Sequence, residues 1–235
     1  MIRAAIVDVL APRVCVGCEG EGSWLCEPCA AGVEWDPNVC CIGCGRLSRF
    51  GATCDRCRRD FPLRGVVAVA SYRDPSVQQL VQLVKYASAR DAADAFALLI
   101  GTVRERAALA ALRAEVGAAA LLIPVPLHWR RFAERGFNQS ACVAEALAST
   151  GWGTLIAPGA LRRRKCSLPQ ATLSNTRRFT NVEDAFTCAD PSAVAGKSVV
   201  LIDDVVTTGA TMAACARELR RAGCSAVWGF AIARG

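Results

Sequence analysis

The sequence predicts an α/β protein: a mostly parallel sheet flanked by helices, preceded by a small cysteine-rich module. Three observations predict it. Residues 199–212, VVLIDDVVTTGATM, pass from a continuous aliphatic run through two acids into a small-residue loop and a helix-like segment. From residue 66 onward, short β-branched stretches alternate with longer amphipathic ones, the pattern of parallel strands joined by helical crossovers. Ahead of residue 58, four C-x2-C pairs follow one another.

Composition sets the bounds. A chain of 235 residues with 53% hydrophobic content can hold one full α/β domain plus a small module. The longest stretch without a charged residue, 146–161, is interrupted by Gly, Pro, Ser and Thr, so no membrane span is expected. The opening MIRAAIVDVL has an apolar run broken by Asp8 and no cleavage site. A secretory leader is therefore not expected, and the chain is expected to be cytoplasmic. Charge is uneven: residues 1–60 carry 7 Lys/Arg against 8 Asp/Glu, while residues 61–235 carry 21 against 13. A basic second part suits an anionic ligand, either a diphosphate or a nucleic acid.

Taken from the N-terminus, the first elements are cysteine knuckles. Nine of the fourteen Cys precede residue 58. Cys15, Cys18, Cys26 and Cys29 make one quartet; Cys41, Cys44, Cys54 and Cys57 make another. Two C-x2-C knuckles can turn four thiolates onto one tetrahedral Zn²⁺, so two structural zinc sites are expected. Sequential and cross-braced pairings both use these eight residues. Closed sites of this kind leave no open position for catalysis. The module is assigned to residues 1–60, and metal is expected to supply much of its folding energy.

The second domain is assigned to residues 61–235, after the charged, Pro-containing link RRDFPLR. VVAVAS (66–71) reads as a strand, and SVQQLVQLVKY (76–86) as a helix with Val77, Leu80, Val81 and Val84 on one face. The Ala-rich stretch 90–116 reads as one or two helices, 121–126 as a strand, 139–149 as a helix and 227–233 as a last strand. Within 199–212, Val199, Val200, Leu201 and Ile202 form a strand buried on both faces. Asp203 and Asp204 then sit at its carboxyl edge, where open α/β sheets bind ligands. Thr207, Thr208, Gly209, Ala210 and Thr211 are small enough for backbone N–H groups to close on a phosphate at a helix start. Acids that accept from vicinal hydroxyls, followed by an anion nest, describe a ribose 5-phosphate site.

Basic and polar segments are candidates to complete that site. The loop 123–139 carries Arg130, Arg131 and Arg135, whose guanidinium forks suit diphosphate oxygens. Lys85 with Tyr86, the run Arg162, Arg163, Arg164 and Lys165, and the stretch 170–181 with Arg177 and Arg178 are the others. His128, the one histidine, is expected to pack or make a local hydrogen bond.

The segment VVLIDDVVTTGAT resembles the phosphoribosyl diphosphate (PRPP) signature of type I phosphoribosyltransferases. Nearly the whole chain, in order, resembles the ComF (competence protein F) family, bacterial amidophosphoribosyltransferase-like proteins associated with natural transformation. The resemblance is carried by the double zinc ribbon, VKYASARD, PVPLHWRRFAERGFNQ, LPQATLSNTRRFTN and VVLIDDVVTTGAT. It implies a type I phosphoribosyltransferase-like domain in which Asp203 and Asp204 hold the ribose hydroxyls and Thr207–Thr211 the 5-phosphate. It further implies that Lys85, Arg131, Arg135, Asn138 and Gln139 line the pyrophosphate side. Gln170, Arg178 and Asn181 would belong to a segment that closes over the ligand, and Mg²⁺ would accompany PRPP. Thr207 stands where purine-salvage relatives carry an acidic base, so ordinary purine salvage is not expected.

Three functions remain in play: a PRPP-binding phosphoribosyltransferase with an unknown acceptor, a single-stranded-DNA adaptor working with competence and recombination proteins, and a non-catalytic PRPP sensor. A competence-linked, PRPP-binding protein is the leading expectation.

Overall fold

A computed structural model describes residues 13–84, 89–103, 106–156, 159–164 and 185–235. Both cysteine quartets follow one plan. An isolated bridge closes each knuckle, Val14 with Glu21 and Cys40 with Leu47. A short helix follows the third cysteine of each: α1 (Glu27–Ala31) after Cys26, and α2 (Asp55–Arg58) after Cys54.

The rest of the chain alternates strands and helices. In order come β1 (Val66–Ser71), α3 (Pro75–Leu83), α4 (Ala89–Val103), α5 (Ala107–Val116), β2 (Leu121–Pro124) and α6 (Trp129–Arg135). Next are α7 (Gln139–Ser149), β3 (Thr154–Leu155), β4 (Leu161–Arg163), β5 (Phe186–Cys188) and α8 (Pro191–Val194). The last are β6 (Ser198–Val206), α9 (Ala210–Arg221) and β7 (Ala226–Arg234). Five strands build a parallel sheet in the order β1-β7-β6-β2-β3, and β4 pairs with β5 as a separate antiparallel ribbon. Among the described residues no helix is long and apolar enough to cross a membrane.

Helix starts follow from side-chain caps. Asp74 accepts from the Ser76 and Val77 N–H groups ahead of α3, with Pro75 at the first helical position. Asn138 accepts from Ser140 N–H ahead of α7. Successive strand residues serve opposite faces. Val200, Ile202, Phe230 and Ile232 join one core with residues of α3, α4, α5 and α7, and Val199, Leu201, Val227 and Ala231 join the other with α9. That explains why the central strands read as unbroken aliphatic runs.

The cysteine module is joined to the sheet edge. The stretch between the two quartets lies antiparallel along β1, with Trp35 bridging Ala70 and Ser71 N–H donating to Glu34 O at 2.8 Å. Asn38 completes the contact through its amide, which donates to Ala68 O and accepts from Ala68 N–H, both at 2.8 Å. Arg234 at the end of β7 reaches the same stretch, with its Nε 3.2 Å from Asp36 Oδ2.

Candidate functional site

β6 runs through the two acids, past the Ile202 end read from the sequence. Its pairing with β2 stops at Ile202, opposite Pro124, whereas its pairing with β7 continues through Asp203, Val205 and Val206. Asp203 and Asp204 therefore stand where one neighbour has ended and the other still holds the strand. The opened side is a cleft of about 390 Å³ lined by Asp203, Asp204, Thr207, Thr211, Arg131, Arg135, Arg163, Gln139, Ser140 and Tyr72, among others.

Ser140 Oγ donates to Asp203 Oδ1 at 2.8 Å, and the Asp204 N–H reaches the same oxygen at 3.0 Å. Burial first, and then the neighbouring Asp204 charge, hold the Asp203 carboxyl well above the usual carboxylate range; the hydrogen bonds from Ser140 and the Asp204 N–H oppose this. Two acids side by side at a cleft wall are electrostatically unfavourable until hydroxyl donors or a cation join them. The loop after β6 borders a smaller recess, of about 50 Å³, formed by Asp203 and residues 205–212. Thr207 is exposed, Thr208 and Thr211 are partly buried, and Gly209 and Ala210 are buried. Gly209 precedes α9 with φ of +70°, the left-handed conformation that glycine adopts without strain.

Loop 123–139 contains a helix that its polar sequence concealed. α6 carries Arg131 and Arg135, four residues apart, to the cleft. His128 caps that helix by accepting from the Arg130 N–H at 3.3 Å. Burial, then the cations of Arg163, Arg130 and Arg131, lower its pKa, so the ring is neutral at neutral pH and free to accept. Gln139 is buried, and its Nε2 has no hydrogen-bond partner among the described residues while the side chain lines the cleft. Asn138 stands behind it: Nδ2 donates to Val125 O at 2.9 Å and Oδ1 receives the Ser140 N–H.

Two polar cleft residues, Tyr72 and Ser140, escaped the sequence reading, and a third, Arg163, was singled out only as one of four consecutive cations. Arg163 belongs to the basic run 162–165, but β4 alternation separates it from its neighbours. Arg162 and Arg164 are exposed, whereas Arg163 lines the cleft and stands 5.4 Å from the Phe186 ring centroid. The period of two was the available signal. Tyr72 follows the end of β1, and Ser140 follows the α7 cap; neither carries a motif. Lys85, Lys165, Gln170, Arg177, Arg178 and Asn181 lie outside the described residues.

The cysteines pair sequentially. The four sulfurs of Cys15, Cys18, Cys26 and Cys29 lie within 4.8 Å of one another, as do those of Cys41, Cys44, Cys54 and Cys57. Measured separations of 3.6 Å for Cys15–Cys26 and 3.7 Å for Cys44–Cys54 fit a tetrahedron. Bonds of ~2.3 Å to zinc would set the sulfurs about 3.8 Å apart. Gly17 and Gly43 make room for the knuckles, since a Cβ would lie 2.7 Å from Cys29 Sγ and 3.2 Å from Cys57 Sγ respectively. Four such thiols cannot all ionise unaided. The neighbouring Cys26 thiol, and then burial, push Cys29 up to about 12. Burial raises Cys15, but backbone N–H groups of Gly17, Cys26 and Cys18 outweigh it and bring the thiol down to about 6. A dication would supply the compensation that each quartet lacks. Cys40 belongs to neither quartet.

A second concavity, of about 540 Å³, shares no residue with the cleft. Arg58, Arg59 and Arg64 of the link face Arg217, Arg220 and Arg221 of α9 across it, with Phe61 and Asp60 also in its wall. Trp129 and Phe132 form a separate exposed aromatic pair on α6, 65% and 51% accessible, with Arg130 5.3 Å from the Trp129 ring centroid.

Comparisons with known proteins agree with this geometry. A phosphoribosyl transferase domain matches residues 160–232, which span β6, the acids, the loop and α9. The chain is 30% identical to DNA utilization protein YhgH of Escherichia coli K12, over 91% of this chain and 92% of that protein. It is 28% identical to competence protein F of Haemophilus influenzae, over 93% and 96%. Competence protein ComFC of Bacillus subtilis is 37% identical over 103 residues, covering 44% of this chain and 39% of that one.

Proposed function

The chain belongs to the competence protein F (ComF) family, and on that premise we propose that its cleft binds PRPP with Mg²⁺ and presents the sugar for phosphoribosyl transfer. One observation carries the reading: two strand-borne acids, a loop at a helix start and three arginines line the same cleft of about 390 Å³. In this reading Asp203 and Asp204 accept the ribose 2- and 3-hydroxyls. Thr207, Thr208, Gly209, Ala210 and Thr211 receive the 5-phosphate at the N-terminus of α9, a helix of 12 residues. Arg131, Arg135 and Arg163 neutralise the diphosphate, and the unpartnered amide of Gln139 donates to it. Mg²⁺ arrives as part of the ligand, bound to the diphosphate.

The reaction is displacement at ribose C1. An acceptor lone pair forms the new bond as the C1–O bond breaks, and the diphosphate leaves with its Mg²⁺. The chain contributes orientation and charge neutralisation. With a threonine at position 207, no general base is assigned to the loop. Each cysteine quartet holds one structural Zn²⁺ in this account, and a thiolate-rich module suits the reducing cytoplasm.

Titration calorimetry with Mg-PRPP tests the proposal. Wild-type protein should bind one ligand per chain, and the double variant Asp203→Asn/Asp204→Asn should lose at least about tenfold in affinity, or ~1.4 kcal/mol. Unchanged affinity would reject the ribose assignment. Diphosphate release measured across bases, amines and single-stranded DNA then separates a transferase from a sensor.

The arginine-lined concavity favours a second reading, that the protein also handles single-stranded DNA. The names of its YhgH and competence relatives point the same way. Neutralising Arg59 and Arg64 should reduce the salt slope of single-strand binding by about one to two, near one unit per lost phosphate contact. A slope that stays the same would remove the groove from consideration.

A further inference from the structure

The backbone of the phosphate loop has an unexpected neighbour. Gly209 points toward Ile42, the residue between Cys41 and Gly43 in the first knuckle of the second quartet. A Cβ at Gly209 would stand 2.7 Å from Ile42 Cγ1 and 3.9 Å from Phe61 Cζ. Ile42 and Phe61, both partly buried, pack on the apolar cluster that contains Val206, Ala210 and Met212, the residues bracketing the loop. Both are fastened to the same quartet. Ile42 follows Cys41, whose Sγ accepts from the Cys54 N–H at 3.4 Å, and the Phe61 N–H donates to Cys57 O at 2.8 Å. The first quartet meets the domain elsewhere: a Cβ at Gly17 would lie 3.4 Å from Ser76 Oγ, at the start of α3.

We propose that Ile42, backed by Phe61, is a positioning residue for the phosphate loop, so that the second cysteine quartet sets affinity at the 5-phosphate end of the ligand. The inference rests on the reading of the cleft as a PRPP site. The physical reason lies in the loop's composition. Thr207, Thr208, Gly209, Ala210 and Thr211 contribute little side-chain bulk, so they cannot hold their own backbone against thermal motion. Gly209 also removes the steric limits that would restrict φ and ψ. An anion nest works only when its N–H groups converge, and ordering them on binding costs affinity. A branched side chain pressed against the outer side of Gly209 takes over that ordering before the ligand arrives. A metal ion held by the quartet would make the wall rigid, because Ile42 lies between Cys41 and Cys44, two of the residues that would hold it. The diphosphate end is built from α6, α7 and β4, and among the described residues none from the cysteine module lines it.

The ligand's two ends therefore give separate readouts. Binding of ribose 5-phosphate and of inorganic diphosphate is measured on wild type, Ile42→Ala, Ile42→Val and Phe61→Leu, with zinc content determined for each. The expected result is that Ile42→Ala weakens ribose 5-phosphate about fivefold or more, the lower range for energetically linked sites, while leaving diphosphate affinity and zinc content unchanged. Ile42→Val should restore most of the loss, and Phe61→Leu should weaken ribose 5-phosphate in the same selective way. Equal ribose 5-phosphate affinity in wild type and Ile42→Ala would overturn the inference, as would a parallel loss for both probes, which marks general loosening of the fold. Wild-type protein that binds neither probe nor Mg-PRPP overturns the cleft reading itself, and this inference with it.

Discussion

Ser140 and Asp203 are 63 residues apart in sequence and share a hydrogen bond of 2.8 Å, tying the first turn of α7 to the sixth of the nine residues of β6. The link is one part of a chain. Asn138 holds Val125 O with one end of its amide and the Ser140 N–H with the other. The loop after β2, the start of α7 and the acids of β6 are thereby set relative to one another before any ligand arrives. Ser140→Ala should weaken Mg-PRPP binding about 3- to 10-fold, the range of one ordinary net hydrogen bond. Because Ser140 favours the ionised form of Asp203, the pH midpoint of binding should also move upward in this variant. Titration calorimetry over a pH series measures both.

Asp203 should make stability and the proposed ligand binding respond oppositely to pH. Burial and the Asp204 charge raise its pKa in the folded chain, so the folded form holds the proton more tightly than the unfolded one. Stability is then greatest at low pH for this group, and falls as pH rises from the ordinary carboxylate value of about 4 through the raised folded value. On the proposed reading of the cleft, binding should improve over that same window, because the carboxylate is the form that would accept sugar hydroxyls. Asp203→Asn should flatten this part of the stability profile. At neutral pH it should raise the melting midpoint by about 2–4 °C, the shift expected from ~1 kcal/mol at this chain length. Thermal denaturation of both proteins from acid to neutral pH would show the curves diverging; parallel curves would contradict the argument.

Zinc analysis of the purified chain should give about two equivalents, four ligands to each. Cys44→Ser should remove one equivalent without displacing the other, since the quartets share no sulfur. Elemental analysis, paired with circular dichroism before and after chelation, reads out both points.

Asp36 and Arg234 form the ion pair that fastens the cysteine module to the end of β7, with side chains only 9% and 15% exposed. Burial pushes the Asp36 carboxyl up despite the opposing pull of Arg234 and the Asn38 N–H. The pair is therefore a weak source of net stability, yet removing Asp36 leaves the partly buried Arg234 cation with only the neutral oxygens of Val66 and Asn38. Asp36→Ala should cost about 3–5 kcal/mol. Replacing both partners with apolar residues should cost less. Urea unfolding of the single and double variants distinguishes these outcomes.

Much of this fold was legible because its central strands have one job. The limits of β1 and α7 coincide with the segments read from VVAVAS and from residues 139–149, where burial and capping dominate. β6 outran its aliphatic stretch because β7 keeps pairing beyond Ile202, and pairing partners are not written in a local sequence. α6 was hidden because a seven-residue amphipathic segment rich in Arg resembles a polar loop. At the site, the acids and the glycine loop announced themselves through unusual spacing. Ser140 and Tyr72 did not, since their role arises from which elements meet, and the run 162–165 did not say which of its cations faces the cleft. The contact of Ile42 with Gly209 belongs to the same class: it joins residues 167 positions apart.

The strip formed by residues 34–38 also decides what becomes of a shortened chain. The far margin of the sheet is β3, only 2 residues long and so a poor template for another strand. The near margin, β1, is 6 residues of mostly small and β-branched character, and it is hidden only because that strip lies along it. A fragment trimmed to the second domain would uncover a row of unused peptide groups on β1. Two such fragments could satisfy one another edge to edge, the route by which truncated sheets cluster and precipitate. The cysteine module thus covers the edge that would otherwise invite pairing, and cutting it away should lower solubility.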